Sequence, residues 1–179
     1  ASHTAGGSIT YEYIGDSTGI PYNYCITLVL YRRELGIGLA PTYPIDINSS
    51  CFGSQTVTVT QANYNSWYTL TNGGTYMQGG TPRGDTNCID QADPGYNDGK
   101  IEEYRYRACV VLPGKCSDYT FSWDLCCRNG NITNLATYPS LYLESKLNNT
   151  LGPNTSPSFL NPGAKFFCVG QPFTWSQAA

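Results

Sequence analysis

The feature that most constrains this chain is an apolar period of two residues that recurs along most of its length. Between Ile101 and Leu112, Tyr104, Tyr106, Ala108, Val110 and Leu112 fall on one face of an extended chain, with Glu103, Arg105 and Arg107 on the other. Successive side chains of a strand point to opposite sides, so this pattern specifies one buried face and one wet face. Leu112-Pro113-Gly114-Lys115 then supplies turn chemistry, and Tyr119, Phe121, Trp123 and Leu125 alternate after it, which predicts a β-hairpin. Upstream, Ile9, Tyr11 and Tyr13 share a face. Tyr24, Ile26, Leu28 and Leu30 share another, opposite Cys25, Thr27, Val29 and Tyr31, and Val57 and Val59 alternate with Thr56, Thr58 and Thr60.

Further strands are expected at Ser140 to Lys146 and at Lys165 to Trp175, the second interrupted by Gly170-Gln171-Pro172. The stretch from Tyr64 to Lys100 is rich in Gly, Asn, Asp and Thr and reads as a long loop with at most short strands. Many short strands, with neither long helical periods nor βαβ alternation, predict an all-β fold, an immunoglobulin-like antiparallel β-sandwich with disulfides. Residues 1–155 form the sandwich in this reading, and residues 156–179 an extended C-terminal strand segment. That segment completes its own sheet, is donated to a neighbouring subunit, or opens a following domain; the pattern serves all three.

Eight cysteines, at 25, 51, 88, 109, 116, 126, 127 and 168, are spread singly except for one adjacent pair. An even count without zinc-knuckle spacing, and with His3 as the sole histidine, points to disulfides formed in an oxidising compartment. Cys25, Cys51, Cys88, Cys109, Cys116, Cys126, Cys127 and Cys168 are all disulfide candidates, among about a hundred pairings. Cys109 and Cys116 flank the predicted turn closely enough to be bridged. Cys126 and Cys127 are expected to bond to different strands, because a ring closed between adjacent cysteines is strained.

Charged residues make up only 13% of the chain, and its formal charge is −3. With no basic cluster, the electrostatic term that dominates nucleic-acid binding is missing. No apolar run reaches the roughly 20 residues of a membrane-spanning helix. Histidine-dependent catalysis has only His3, at the very start, to work with, and the adjacent Glu102 and Glu103 must point to opposite faces of a strand, which disfavours a paired-carboxylate hydrolase. No catalytic residue is assigned, and no cofactor.

The run from Asp90 to Gly99 could wrap the oxygens of Asp90, Asp93 and Asp98 round calcium, although the spacing is not that of an EF-hand and a solvated turn explains it as well. Trp67, Tyr68, Tyr76 and Tyr96 supply rings able to stack on sugar or to fill a protein groove, and equally able to cover a core.

Several stretches carry a resemblance. His3 with Gly6-Gly7 and Ile9-Thr10-Tyr11, then Tyr24 through Tyr31-Arg32, Cys126-Cys127-Arg128-Asn129 with Ile132-Thr133-Asn134, and Asn154 through Phe159 followed by Cys168-Val169-Gly170-Gln171-Pro172-Phe173, occur in that order. They resemble boxes of large Bacteroidota surface proteins associated with gliding motility and type IX secretion. The resemblance implies export, a cell-surface or extracellular location and a structural role. It departs from the family where Arg33-Glu34 stand in place of a cysteine, and where the chain stops at Ala179 in place of an Asp-rich continuation.

Two functions follow as expectations. One is a subunit of an extracellular filament or cell-surface fibre, whose partners are copies of itself or neighbouring domains, assembled by strand addition through a segment bearing Phe159, Phe166, Phe167, Cys168, Val169, Phe173 and Trp175. The other is an adhesive module of a larger surface protein, recognising glycan or a host surface through the 64–100 loop.

Overall fold

The computed structural model describes residues 4–33, 38–62, 75–76, 101–128, 140–158, 170, 172 and 174. Its elements are β1 (Thr4–Tyr13), α1 (Gly15–Thr18), β2 (Asn23–Arg33), β3 (Thr42–Ser49), β4 (Gly53–Gln61), β5 (Thr75–Tyr76), β6 (Ile101–Val111), β7 (Tyr119–Leu125) and β8 (Leu141–Leu147). The strands pair antiparallel in the order β1-β2-β6-β4-β3-β7-β8, with the short β5 also on β6. The β4–β6 junction holds only two residue pairs, Thr60 with Arg107 and Gln61 with Tyr106. There the path turns over, laying β1-β2-β6 against β4-β3-β7-β8 as the two layers of an all-β sandwich.

The predicted faces assemble into one core. Across the first layer, Ile9, Leu28 and Tyr106 form one row and Tyr11, Ile26 and Ala108 the next. From the second layer Ile45, Ile47, Val59, Phe121 and Trp123 meet them. The Tyr11 ring lies 5.4 Å from that of Phe121, and Tyr43 packs edge-on against Tyr106 and Trp123. Fully burying such rings contributes roughly 2–3 kcal/mol each, before the entropy of ordering them is counted. β2 is buried on its other face as well, at Cys25, Val29 and Tyr31, as a central strand should be.

Glu103, Arg105 and Arg107 do lie on the outer face, where Arg107 Nη2 reaches Glu12 Oε2 at 2.8 Å across β2. This pair is exposed and adds little. β3 was legible in the alternation of Tyr43, Ile45 and Ile47, but is absent from the strands expected above; Pro44 lies within it, its side exposed to solvent. Gly53, at a φ of +73°, closes the β3–β4 hairpin.

Three expectations are corrected. β6 and β7 do not form a hairpin: β6 pairs with β2, β4 and β5, whereas β7 pairs with β3 and β8. Residues 112–118 carry the chain from one layer to the other, so the apolar faces of β6 and β7 meet across the core instead of side by side. Cys109 is therefore not bridged to Cys116. It bonds Cys25, its register partner on β2, while Cys116 bonds Cys51 in the β3–β4 turn. Cys126 and Cys127 are joined to each other through a cis peptide bond, the other described cysteines being committed by register and by the layer crossing. Cys88 and Cys168 lie outside the described residues.

Peptide mapping under non-reducing conditions should recover Cys25 linked to Cys109 and Cys51 linked to Cys116. A Cys109–Cys116 link would contradict the layer crossing.

The core contains phenols, and each needs a partner. Tyr106 donates to Ala40 O at 2.9 Å, Tyr11 to Lys146 O at 3.0 Å and Tyr119 to Gly114 O at 3.1 Å. Burial pushes the pKa of Tyr106, and of Tyr11, Tyr24 and Tyr119, above the ordinary 10.0. These groups stay neutral in the fold while unfolded tyrosine ionises, so their contribution is complete below pH 10 and is lost as pH rises beyond it. Denaturant titrations between pH 8 and 11.5 should show stability falling above pH 10. Tyr106→Phe should cost about 1–2 kcal/mol at pH 8, through the carbonyl left unpaired, and should flatten the alkaline decline.

Candidate functional site

Two neighbouring features of the sandwich combine accessible groups with fixed geometry. The first is the flank where the end strands of the sheet path, β1 and β8, approach each other. Tyr11 Oη donates to Lys146 O across it, and a Cβ on Gly7 would run into the Val29 carbonyl oxygen and sit 3.0 Å from Leu143 Cδ1. A side chain at position 7 would thus collide first with the backbone of β2, and then meet Leu143 of β8.

The outer edge of β1 would be an open row of backbone donors and acceptors, the usual template for another strand. At one end Arg128 covers it, bridging Thr4 and donating from Nη2 to Ala5 O at 3.3 Å. At the other end the chain beyond β8 comes back onto it. Ser156 N donates to Tyr11 O at 2.9 Å, and Ser156 Oγ both accepts from Tyr11 N and donates to Tyr11 O. Thr155 Oγ1 accepts from Tyr13 N at 3.1 Å. Hydroxyls thus replace part of a strand ladder. Ser156→Ala should leave the Tyr11 N–H without that partner and lower stability by about 1–2 kcal/mol, with faster hydrogen exchange at Tyr11 and Tyr13 as the local readout.

The second feature is the end of the sandwich from which that returning segment comes. Four connections meet there: residues 14–22 before β2, 50–52 between β3 and β4, 112–118 between β6 and β7, and 148–154 after β8. The Cys51–Cys116 disulfide ties the second to the third. Buried Asn149 accepts from Cys116 N at 2.7 Å through Oδ1, donates to Gly114 O through Nδ2 and donates from its backbone N–H to Cys116 O, tying the fourth to the third. Leu112 N donates to Tyr22 O, where Tyr22 holds a left-handed φ of 60°, and Lys115 Nζ reaches Thr150 O. Tyr24, pushed up by burial, is drawn back by hydrogen bonds to Asn149 and Asn154.

On this fixed frame sit exposed apolar side chains: Ile20 at 46%, Phe52 at 47%, Val111 at 50% and Leu151 at 100%. Phe52 is itself held, stacked on Tyr119 with centroids 6.2 Å apart. The charged groups described at this end are few: Asp16, Lys115 and Asp118, the last accepting from Ser50 N. Cys51, Cys116 and Asp118 bring possible ligand atoms within 4.8 Å of one another, but the two sulfurs are already spent on their disulfide and offer no thiolate.

Of the residues singled out from sequence, Trp67, Tyr68, Tyr96, Asp90, Asp93 and Asp98 lie outside the described residues, as do Phe159, Phe166, Phe167, Cys168, Val169, Phe173 and Trp175. Tyr76 is described only as the second residue of β5, paired with Glu102. Sequence reasoning missed the apolar end and the hydroxyl contacts on β1. The available signal was large apolar residues set among breakers, as in Ile20-Pro21, Cys51-Phe52-Gly53 and Leu151-Gly152-Pro153. Among the described residues no helix is long and apolar enough to cross a membrane. In comparisons with known proteins, no family model, no curated protein and no solved structure matches the chain.

Proposed function

We propose that this chain is an exported, non-catalytic structural subunit of an extracellular filament or cell-surface fibre, in which copies associate by strand addition. The observation that carries the reading is the outer edge of β1, where Thr155 and Ser156 supply backbone and hydroxyl partners from the beginning of the C-terminal segment. A sheet edge that accepts a strand from the end of the chain has the same chemistry whether that strand comes from its own subunit or a neighbour. The Cys25–Cys109 and Cys51–Cys116 bonds, spanning 84 and 65 residues, support an oxidising, extracellular setting and a scaffold built to withstand it. The family resemblance agrees with this. The alternative, glycan recognition through the 64–100 loop, draws nothing from the described residues.

Electron microscopy of the purified chain should show regular fibres or their short precursors, and a chain ending at Thr155 should remain folded by circular dichroism yet fail to assemble. Equal assembly by the truncated chain would end the strand-addition reading.

A further inference from the structure

From the segment that follows β8 we infer a covalent modification site: Asn148 is the acceptor for an N-linked oligosaccharide. The inference rests on the reading of the chain as exported, because such sugars are attached to chains that have entered an export route.

Transfer to asparagine requires Asn-x-Ser/Thr without proline in the middle. Four stretches meet that rule: Asn48-Ser49-Ser50, Asn131-Ile132-Thr133, Asn148-Asn149-Thr150 and Asn154-Thr155-Ser156. Such triplets arise by chance in a chain rich in Asn, Ser and Thr, so geometry must choose among them. The second lies outside the described residues. Asn48 is exposed but stands inside β3, opposite Ser54 of β4 and Thr120 of β7, so its backbone is committed to two ladders. In the triplet from Asn154 the hydroxyls are already in use: Ser156 Oγ donates to Tyr11 O and accepts from Tyr11 N, and Thr155 Oγ1 accepts from Tyr13 N. Asn148 has neither impediment. It follows the last residue of β8, and both it and Thr150 are exposed, while Asn149 between them is turned inward and held by Cys116 and Gly114. Asn148 Oδ1 accepts from Thr150 N at 3.0 Å and from Thr150 Oγ1 at 2.7 Å, and among the described residues nothing accepts from its Nδ2. These bonds span two residues, so the turn needs no distant contact and is available to the chain before the sandwich closes.

The arrangement also suits the chemistry. A carboxamide nitrogen is a poor nucleophile, because its lone pair is shared with the carbonyl. Two donors on Oδ1 stabilise the negative charge that this oxygen gathers as Nδ2 gives up a proton to a base on the transferase. Nδ2 then attacks the anomeric carbon of an oligosaccharide carried on a lipid diphosphate. A nitrogen–carbon bond forms, the bond from that carbon to the diphosphate oxygen breaks, and the lipid diphosphate leaves with the electron pair. In the folded protein the sugar projects into solvent beside the 148–154 connection, where Leu151 is wholly exposed.

The test uses the full chain, recovered from the organism that makes it. Treatment with a peptide N-glycanase in heavy-oxygen water should turn Asn148, and neither Asn48 nor Asn154, into labelled aspartate, read by mass spectrometry of the peptides that hold them. Thr150→Ala should lower the occupancy of Asn148 by about tenfold or more, and Thr150→Ser should keep it, with thermal melts unchanged in both. Sugar at Asn48 or Asn154 with Asn148 bare, or occupancy of Asn148 unaffected by Thr150→Ala, overturns the assignment. A secreted chain that carries the Cys25–Cys109 and Cys51–Cys116 bonds and no sugar on Asn148 overturns it as well, and leaves the export reading standing. A chain recovered from the cytoplasm with free thiols and no sugar removes both.

Discussion

The structure depends first on the register of β2 between β1 and β6. Leu30, Leu28, Ile26 and Tyr24 each stand in a row with a residue from either neighbour: Gly7 and Tyr104, Ile9 and Tyr106, Tyr11 and Ala108, Tyr13 and Val110. A shift of one residue would turn every one of these side chains to the opposite face. It would also part Cys25 from Cys109, which are bonded only because they are register partners. With that layer in place, the second can close over it through the narrow β4–β6 junction on one side and the β1–β8 flank on the other.

The flank is the more demanding of the two. Position 7 of β1 has no room for a side chain, being closed in by the Val29 carbonyl and Leu30 of β2 and by Leu143 of β8. Closeness leaves the outer edge of β1 to be satisfied locally, by Arg128 at its start and by Thr155 and Ser156 at its end. An edge met by hydroxyls is a more exchangeable arrangement than a continuous ladder, since each such bond contributes only about 1 kcal/mol net. Edge protection thus rests on a few such contacts.

The layer crossing between β6 and β7 shapes one end of the sandwich. A hairpin there would have buried two faces in one layer and left residues 112–118 as an ordinary turn. Because the chain crosses, these residues become the hub to which the β3–β4 turn is tied by Cys51–Cys116 and the post-β8 connector by Asn149. Of the exposed apolar side chains around that hub, Phe52 is held, stacked on Tyr119.

The sequence by itself determined the all-β class, which residues of β1, β2, β4, β6 and β7 face inward, and the presence of disulfides, because side-chain alternation and cysteine parity are local properties of the chain. Only the tertiary structure decided which strand lies beside which. Alternation states that Tyr106 and Phe121 are buried, yet is the same whether β6 and β7 pair edge to edge or face each other, since the choice rests on contacts between residues distant in sequence. The cysteine pairing follows that choice, so it was equally hidden. So was the end of the sandwich where the connections bearing exposed Ile20, Phe52 and Leu151 converge from distant parts of the chain.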